Sequence, residues 1–440
     1  MNTSTLSTKQ IFFIGLMLFS LFFGAGNLIF PPFLGYEAGE NFWFAMLGFL
    51  LSGVGLPILG VLAIVYTGSD DAEAISKRVH PLFATLFTTL TFLAIGPLFA
   101  VPRTAAVSYE IGVTPFLDTI GAFSLLVFSL LYFAIVYWLA ATPGKFIDRI
   151  GKIITPFLLV VLAILLFSAV FGPLGSFTAP TDVYDQFAFF SGFTEGYLTM
   201  DTIAAFVFGI LVLEAIRSQG VNDPIHTRKI TWESEYYAAL LLSIIYTGLG
   251  YLGAVNANVL GDHENGGQIL QLTAFEYFGL TGNVLLALAI ILACIPTAVG
   301  LIASCARYFN RWFPSVSYRL FVFILTLFSF FIANMGLDTL ISFSLPVLTF
   351  IYPIIIVLIV LAFTHNLFGG RTAVYRFSVT LTAIVSAMDG LDEANLLPNF
   401  LDELRMLLPL SQLDLGWVVP ALVGAAIGYL VSRKQRNHTT

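Results

Sequence analysis

Phe22-Phe23-Gly24-Ala25-Gly26-Asn27-Leu28-Ile29-Phe30-Pro31-Pro32 lies inside the first long apolar run of the chain, Ile11 to about Ala38. Two glycines, an asparagine and two prolines make it poor helix material. A helix crossing lipid should not break there, because each freed backbone group costs several kcal/mol in hydrocarbon. A break is tolerated where it lines a polar cavity inside the protein, and the freed carbonyls and amides then become ligands. Ile11 to Gly24 is 13 residues, about 20 Å of helix. That depth is near the bilayer midplane, where transporters with discontinuous helices hold substrate and ion.

The rest of the chain agrees with a membrane setting. It has 440 residues, 58% hydrophobic and 10% charged, with a net charge of −7 and a mean hydropathy of +0.92. Soluble domains carry about 25% charged residues, so the composition indicates an all-α polytopic membrane protein. Nothing in it suggests nucleic-acid binding. Lys9 and the apolar core after it resemble a signal peptide only weakly, since no small-residue cleavage site follows and the run continues through Leu28–Phe33. Cys294 and Cys305, eleven residues apart in one apolar run, are separated by roughly 16 Å on a helix. They are too far apart for a disulfide.

Twelve spans are expected: 11–38 (broken), 42–66, 79–108, 121–141, 150–171, 188–216 (broken), 235–256, 282–308, 317–334, 340–363, 369–390 and 416–432. With the N-terminus placed in the cytoplasm, 17 of the 19 Lys and Arg fall inside: Lys9, Lys77, Arg78, Lys145, Arg149, Lys152, Arg217, Arg228, Lys229, Arg307, Arg311, Arg319, Arg371, Arg376, Arg433, Lys434 and Arg436. Only Arg103 and Arg405 lie on the outer side, which satisfies the positive-inside bias. The outer loops are acidic (Asp182, Asp185, Asp262, Glu264, Asp389, Asp392, Glu393, Asp402, Glu403) and read as a solvated face. Gln268–Phe278 is amphipathic and suits a short lid helix, and Leu396–Leu408 suits a segment along the outer interface.

A second interruption, Gly196-Tyr197-Leu198-Thr199-Met200-Asp201-Thr202, falls at the same depth in span six, which runs the opposite way. Two breaks of opposite orientation, five helices apart, are the pattern of an inverted repeat. The expected organisation is one transporter domain, with repeats at 11–171 and 188–363 and two accessory helices at 369–432. Long spans three and eight suggest tilt.

Several polar residues stand at this depth. The amides of Gly24, Ala25 and Gly26 sit at the positive end of a restarting half-helix, suited to a carboxylate. Asn27 serves either as a cation ligand or as the cap of that half-helix. Asp201 is expensive at the midplane and marks an ion or substrate path, the alternative being a cap for the inner half of span six. Thr199 and Thr202 offer hydroxyls beside it. In span eight Pro296 frees a carbonyl, and Ala293, Thr297, Gly300 and Ser304 share one face. That face reads either as neutral oxygens for a cation or as a small-residue packing stripe. Arg103 and Glu195 form a candidate outer gate or a static buried pair, or Arg103 snorkels alone. Glu214 with Arg217 reads similarly on the inner side. The aromatic residues Phe22, Phe23, Phe30 and Tyr197 flank the breaks and suit the walls of an apolar side-chain pocket. The five histidines, His80, His226, His263, His365 and His438, show no metal-ligand spacing.

The stretch 22–32, together with Gly96-Pro97-x-x-Ala100-Val101-Pro102-Arg103-Thr104 and Tyr197-Leu198-Thr199-Met200-Asp201, resembles the bacterial branched-chain amino acid:cation symporters, the BrnQ-type carriers. Their architecture is similar to the amino acid–polyamine–cation superfamily and the sodium-coupled neurotransmitter symporters. The resemblance implies uptake of leucine, isoleucine and valine with Na+ across the bacterial cytoplasmic membrane, with both termini cytoplasmic and no organic cofactor. It also implies a Na+ site from the carbonyls of Ser20 and Phe23 with Ala293 and Thr297, to which Ser304 on the same face is added. Where the sodium symporters place two adjacent hydroxyl residues, this chain has Pro296 before Thr297, so H+ coupling through Asp201 stays open. The substrate is expected to rest on Gly24, Ala25, Gly26, Asn27, Tyr197, Thr199 and Asp201. Its partners are substrate and lipid, with the chain a monomer or weak homo-oligomer. An enzyme would need a convergent nucleophile or metal set and a channel would need a continuous pore; the sequence carries neither pattern.

Overall fold

Residues 6–67, 73–117, 121–142, 154–261, 263 and 265–437 are described by the computed structural model, and among them every regular element is helical. In chain order the α-helices are α1 (Thr8–Phe22), α2 (Ala25–Ala38), α3 (Phe42–Leu50), α4 (Leu56–Thr67), α5 (Glu73–Lys77), α6 (Pro81–Leu93), α7 (Ala100–Gly112), α8 (Ala122–Ala140), α9 (Thr155–Phe171), α10 (Asp182–Glu195), α11 (Asp201–Ser218), α12 (Pro224–Leu260), α13 (Gly266–Trp312), α14 (Tyr318–Ala333), α15 (Leu337–Phe363), α16 (Thr372–Glu393), α17 (Asn399–Met406) and α18 (Val418–Asn437). Lys145, Arg149, Lys152, Asp262, Glu264 and His438, and the first residues of the expected fifth span, lie outside the described residues.

Among the described residues six helical stretches are long and apolar enough to cross a bilayer, and Asp182–Thr199 with Asp201–Ser218, bent by 44°, makes a seventh. The outer surface suits lipid: Phe123, Leu130, Leu131 and Trp138 of α8 all point away from the protein.

Both expected interruptions are present, and each has a local cause. Ser7 and Gln10 form a capping box that starts α1. The helix stops at Phe22, and the Phe23 amide makes its last bond, to the Phe19 carbonyl at 2.7 Å. Gly24 is extended (φ −117°, ψ −158°). The chain then turns helical again because the Asn27 side chain accepts from the Gly24 amide at 3.2 Å. Pro31 and Pro32, grouped with the break in the sequence, lie inside α2, which runs on to Ala38. In the sixth span α10 tightens into a 3-10 turn at Gly196–Thr199, and Met200 takes a left-handed conformation (φ 63°, ψ 10°) before α11 starts at Asp201. A non-glycine residue pays for that conformation with strain, which clusters at functional sites.

The third span is not the single tilted helix expected for 79–108. It loosens into a π-turn over Ala94–Leu98, with Gly96 non-helical (φ −86°, ψ −112°) ahead of Pro97. The thiol of Cys305 donates to the Phe92 carbonyl beside this kink at 3.3 Å. Both cysteines are free and buried. At Gly279 (φ 59°) a kink sets residues 266–278 apart from the rest of α13, which matches the short helix expected before span eight.

Two charge assignments change. The outer carboxylates are not simply a solvated face: Asp389, Asp392 and Asp402 converge on Arg405 of α17 at 3.5, 2.6 and 3.0 Å. Arg405 is buried, and a buried guanidinium needs anions around it. Glu214, expected beside Arg217 on the inner side, pairs with Arg307 of α13. Glu235 of α12, not singled out from the sequence, is 1% exposed and neither carboxyl oxygen has a partner. An unsatisfied buried polar group costs about 1–3 kcal/mol. Glu235→Met is therefore expected to raise the thermal midpoint in detergent; a lower midpoint would reveal a partner for the carboxyl.

Candidate substrate and ion site

The two interruptions adjoin. The Asn27 amide donates to Asp201 Oδ2 at 2.5 Å. A Cβ built on Gly26 would stand 3.2 Å from Thr199 Cα and 3.3 Å from the Leu198 carbonyl, so the backbones approach closely where glycine allows it. Between them is a cavity lined by Gly24, Ala25, Gly26 and Asn27 of the first break, Thr199, Met200 and Asp201 of the second, Arg103 and Thr104 of α7, and Thr297 of α13. Its free volume is about 20 Å³, room for about one water. A branched-chain side chain would require the surrounding helices to part.

Asp201 is 2% exposed. Besides the Asn27 amide, its Oδ2 accepts from the Tyr246 hydroxyl at 2.8 Å, and Asn27 also touches Tyr246. These bonds tie α11 to α2 and α12; none runs to the first-turn amides of α11, so Asp201 does not act as a cap for that helix. Asn27 is the N3 partner of a capping pair, its oxygen turned to Gly24 and its nitrogen to Asp201. The Gly24 amide is thereby occupied, which leaves Ala25, Gly26 and Asn27 as the first-turn amides without an acceptor inside the helix. Thr199 donates to the Gly196 carbonyl at 2.9 Å and accepts from the Asp201 amide at 3.4 Å.

A second set of oxygens gathers where α1 meets α13. The Thr297 hydroxyl lies 3.4 Å from the Ser20 carbonyl, 3.2 Å from Leu21 and 3.5 Å from Ala293. Phe23 is the C-cap of the same helix end. All four oxygens are neutral, the donor type a hard monovalent cation accepts in place of water. Ser304 is not part of this set: it is seven residues further along α13, about 10 Å away by helical rise, and its hydroxyl is buried without a partner.

The expected outer gate is not a pair. Arg103 is 2% exposed and donates to the Leu198 carbonyl and the Ser344 hydroxyl, both at 2.7 Å, while Phe30 lies beneath its guanidinium. Glu195 lines a separate cavity of about 250 Å³ with Tyr197, Asp389, Arg405 and Asp414. Tyr197 therefore stands outside the central cavity, stacked on Tyr352 at 4.4 Å between ring centres. Residue spacing along α7 and α10 gave their depth but not the direction in which each side chain points. Tyr246 and Ser344 had no signal at all, each being one hydroxyl in an apolar run.

Comparison with known proteins fits these findings. A family model described as branched-chain amino acid transport protein matches residues 7–435. The branched-chain amino acid permease BraB of Bacillus subtilis (strain 168) is 46% identical over 430 residues, 97% of this chain and 96% of that one. The branched-chain amino acid transport system 2 carrier protein of Pseudomonas aeruginosa is 41% identical, covering 96% and 95%. The permease BrnQ of Escherichia coli (strain K12) is 39% identical, covering 100% and 99%. Among solved structures, the nucleobase-cation-symport-1 family transporter MHP1 in a closed conformation aligns with a TM-score of 0.64 at 13% identity, over 96% of this chain and 92% of that one. A manganese transporter of Eremococcus coleocola aligns at 0.57 and 14%, over 96% and 95%. At such identities the likeness concerns the fold alone.

Proposed function

Since the chain belongs to the family of branched-chain amino acid transport proteins, carriers and not enzymes, we propose that it imports leucine, isoleucine and valine together with Na+ by alternating access. The observation that carries this reading is the junction of Asn27 and Asp201 across two interrupted helices. Peptide dipoles and one carboxylate there face a small cavity, which suits a zwitterion in a low-dielectric site. The substrate's carboxylate takes the first-turn amides of α2, at the positive end of that helix. Its ammonium faces Asp201 and the carbonyls freed at the second break. Na+ occupies the oxygens around Thr297, bridging α1 and α13, so that ion binding favours the conformation in which these helices are close.

Around this site we infer twelve spans, with repeats at 11–171 and 188–363 and accessory helices at 369–432. Both termini face the cytoplasm of a bacterial cell and the protein sits in the cytoplasmic membrane. It works as a monomer or weak homo-oligomer.

Uptake of labelled leucine into proteoliposomes tests the reading. Accumulation driven by an inward Na+ gradient at equal pH on both sides, and inhibited by isoleucine and valine, is the expected result. Accumulation that ignores Na+ and follows a pH gradient would favour Asp201 as a proton acceptor instead. Thr297→Ala is expected to raise the half-saturating Na+ concentration about tenfold, the worth of one lost ligand bond of about 1.4 kcal/mol. Leucine affinity at saturating Na+ should change little; a Na+ dependence equal to that of the unsubstituted protein would move the ion site elsewhere.

A further inference from the structure

Arg103 is a buried cation without an anion. Among the described residues its partners are the Leu198 carbonyl, the Ser344 hydroxyl and the face of Phe30, all neutral, and its Nε has no partner. A guanidinium stays charged under any cellular condition. Holding it in a dry wall without a counter-charge is costly. The carboxylate expected to relieve it, Glu195, faces the separate cavity, and the Asp201 Oδ2 is engaged by Asn27 and Tyr246. Yet Arg103 lines the same central cavity as Asp201.

We propose that Arg103 determines specificity by receiving the substrate's carboxylate, together with the first-turn amides of α2. The proposal rests on the reading of the central cavity as the amino acid site. Its geometry is compact. The Leu198 carbonyl that Arg103 holds at 2.7 Å would lie 3.3 Å from a Cβ on Gly26, and the Phe30 ring beneath the guanidinium lies at the same distance. Guanidinium and amides therefore border one small space. One carboxylate oxygen takes the amides of Ala25 and Gly26; the other takes the Arg103 fork, whose planar donors match a carboxylate. Arg103 and Asp201 then stand at the two ends of a zwitterion, each facing the opposite charge. Amines, amino acid amides and esters leave Arg103 uncompensated and are rejected. Because Arg103 joins α7 to the second break and to α15 through Ser344, the carboxylate also completes a tie across three parts of the protein.

The test compares leucine and leucinamide as competitors for labelled leucine on the purified full-length protein in Na+ buffer. In the unsubstituted protein leucine is expected to bind at least about 100-fold better than leucinamide, a charge-assisted bond plus the penalty of leaving a buried charge unpaired. In Arg103→Gln leucine should weaken by about 10–100-fold and leucinamide should not, so the ratio falls to a few-fold. Arg103→Lys, which keeps the charge and loses the fork, should give an intermediate ratio, and it carries the test if the glutamine variant does not fold by its thermal midpoint. A ratio unchanged in either folded variant overturns the proposal. If the unsubstituted protein binds no leucine, it is the reading of the cavity that fails.

Discussion

Asp201→Asn is expected to abolish leucine accumulation, reducing gradient-driven uptake by at least about 100-fold. The carboxylate is buried and takes two hydrogen bonds on one oxygen, from Asn27 and Tyr246. An asparagine of the same shape either turns its amide nitrogen toward those two donors or keeps its oxygen there and puts N–H donors where the second carboxylate oxygen stood. It also removes the only negative charge lining the cavity among the described residues. Removing one partner of a buried charge pair costs about 3–5 kcal/mol, and each 1.4 kcal/mol is a factor of ten. Uptake into proteoliposomes, normalised to inserted protein, measures it. Leucine counterflow separates two roles for the residue. If Asp201 binds the substrate, exchange of internal for external leucine is lost together with accumulation. If it carries a proton instead, exchange persists while accumulation disappears. Uptake within a few-fold of the unsubstituted protein would remove Asp201 from both roles.

Gly35→Leu is expected to eliminate folded protein. Without a hydrophobic force between helices in lipid, association depends on close van der Waals contact, which small residues permit. A Cβ at Gly35 of α2 would run into the Gly250 carbonyl of α12, and one at Gly253 of α12 into the Pro32 carbonyl of α2. The obstacles are backbone, which cannot rotate away as a side chain does. The cost therefore exceeds the about 1–3 kcal/mol of ordinary overpacking, a large part of a marginal stability. The measurement is the monodisperse fraction after detergent extraction. Gly172→Ala, whose Cβ would meet only a carbonyl at 3.6 Å, is expected to behave normally. A monodisperse, active Gly35→Leu protein would mean that α2 and α12 do not pack as closely as they do here. The contact matters for function because it fixes α2, and with it Asn27, against the helix that supplies Tyr246.

Much of the candidate site was legible because lipid enforces a rule. Backbone groups cannot go unpaired in hydrocarbon, so glycines and a carboxylate in the middle of apolar runs announce a cavity. That logic led to 24–27, to 199–201 and to Thr297. It did not say which proline bends a helix. Pro31, Pro32, Pro296, Pro346 and Pro353 all lie within continuous helices, whereas the kink of the third span sits at Gly96, where a flexible residue precedes Pro97. Nor did it give azimuth. Glu195 and Arg103 lie in adjoining parts of the protein but face different cavities. Arg405 gathers Asp389, Asp392 and Asp402 only because the chain reverses between α16 and α17. Tyr246 and Ser344 complete the polar network as single hydroxyls beside apolar neighbours in sequence, and only their neighbours in space identify them.

The central claim is that the two interrupted helices enclose the amino acid between them, and protection of an engineered thiol tests it most directly. Ala100 lines the central cavity; a cysteine placed there, with Cys294 and Cys305 replaced by alanine, can be labelled by a small maleimide whenever the cavity opens. Saturating leucine is expected to slow that labelling at least about tenfold, while equal concentrations of glutamate or lysine leave it unchanged. Labelling at the same rate with and without leucine, in a protein that still transports it, would place the substrate somewhere other than between these breaks.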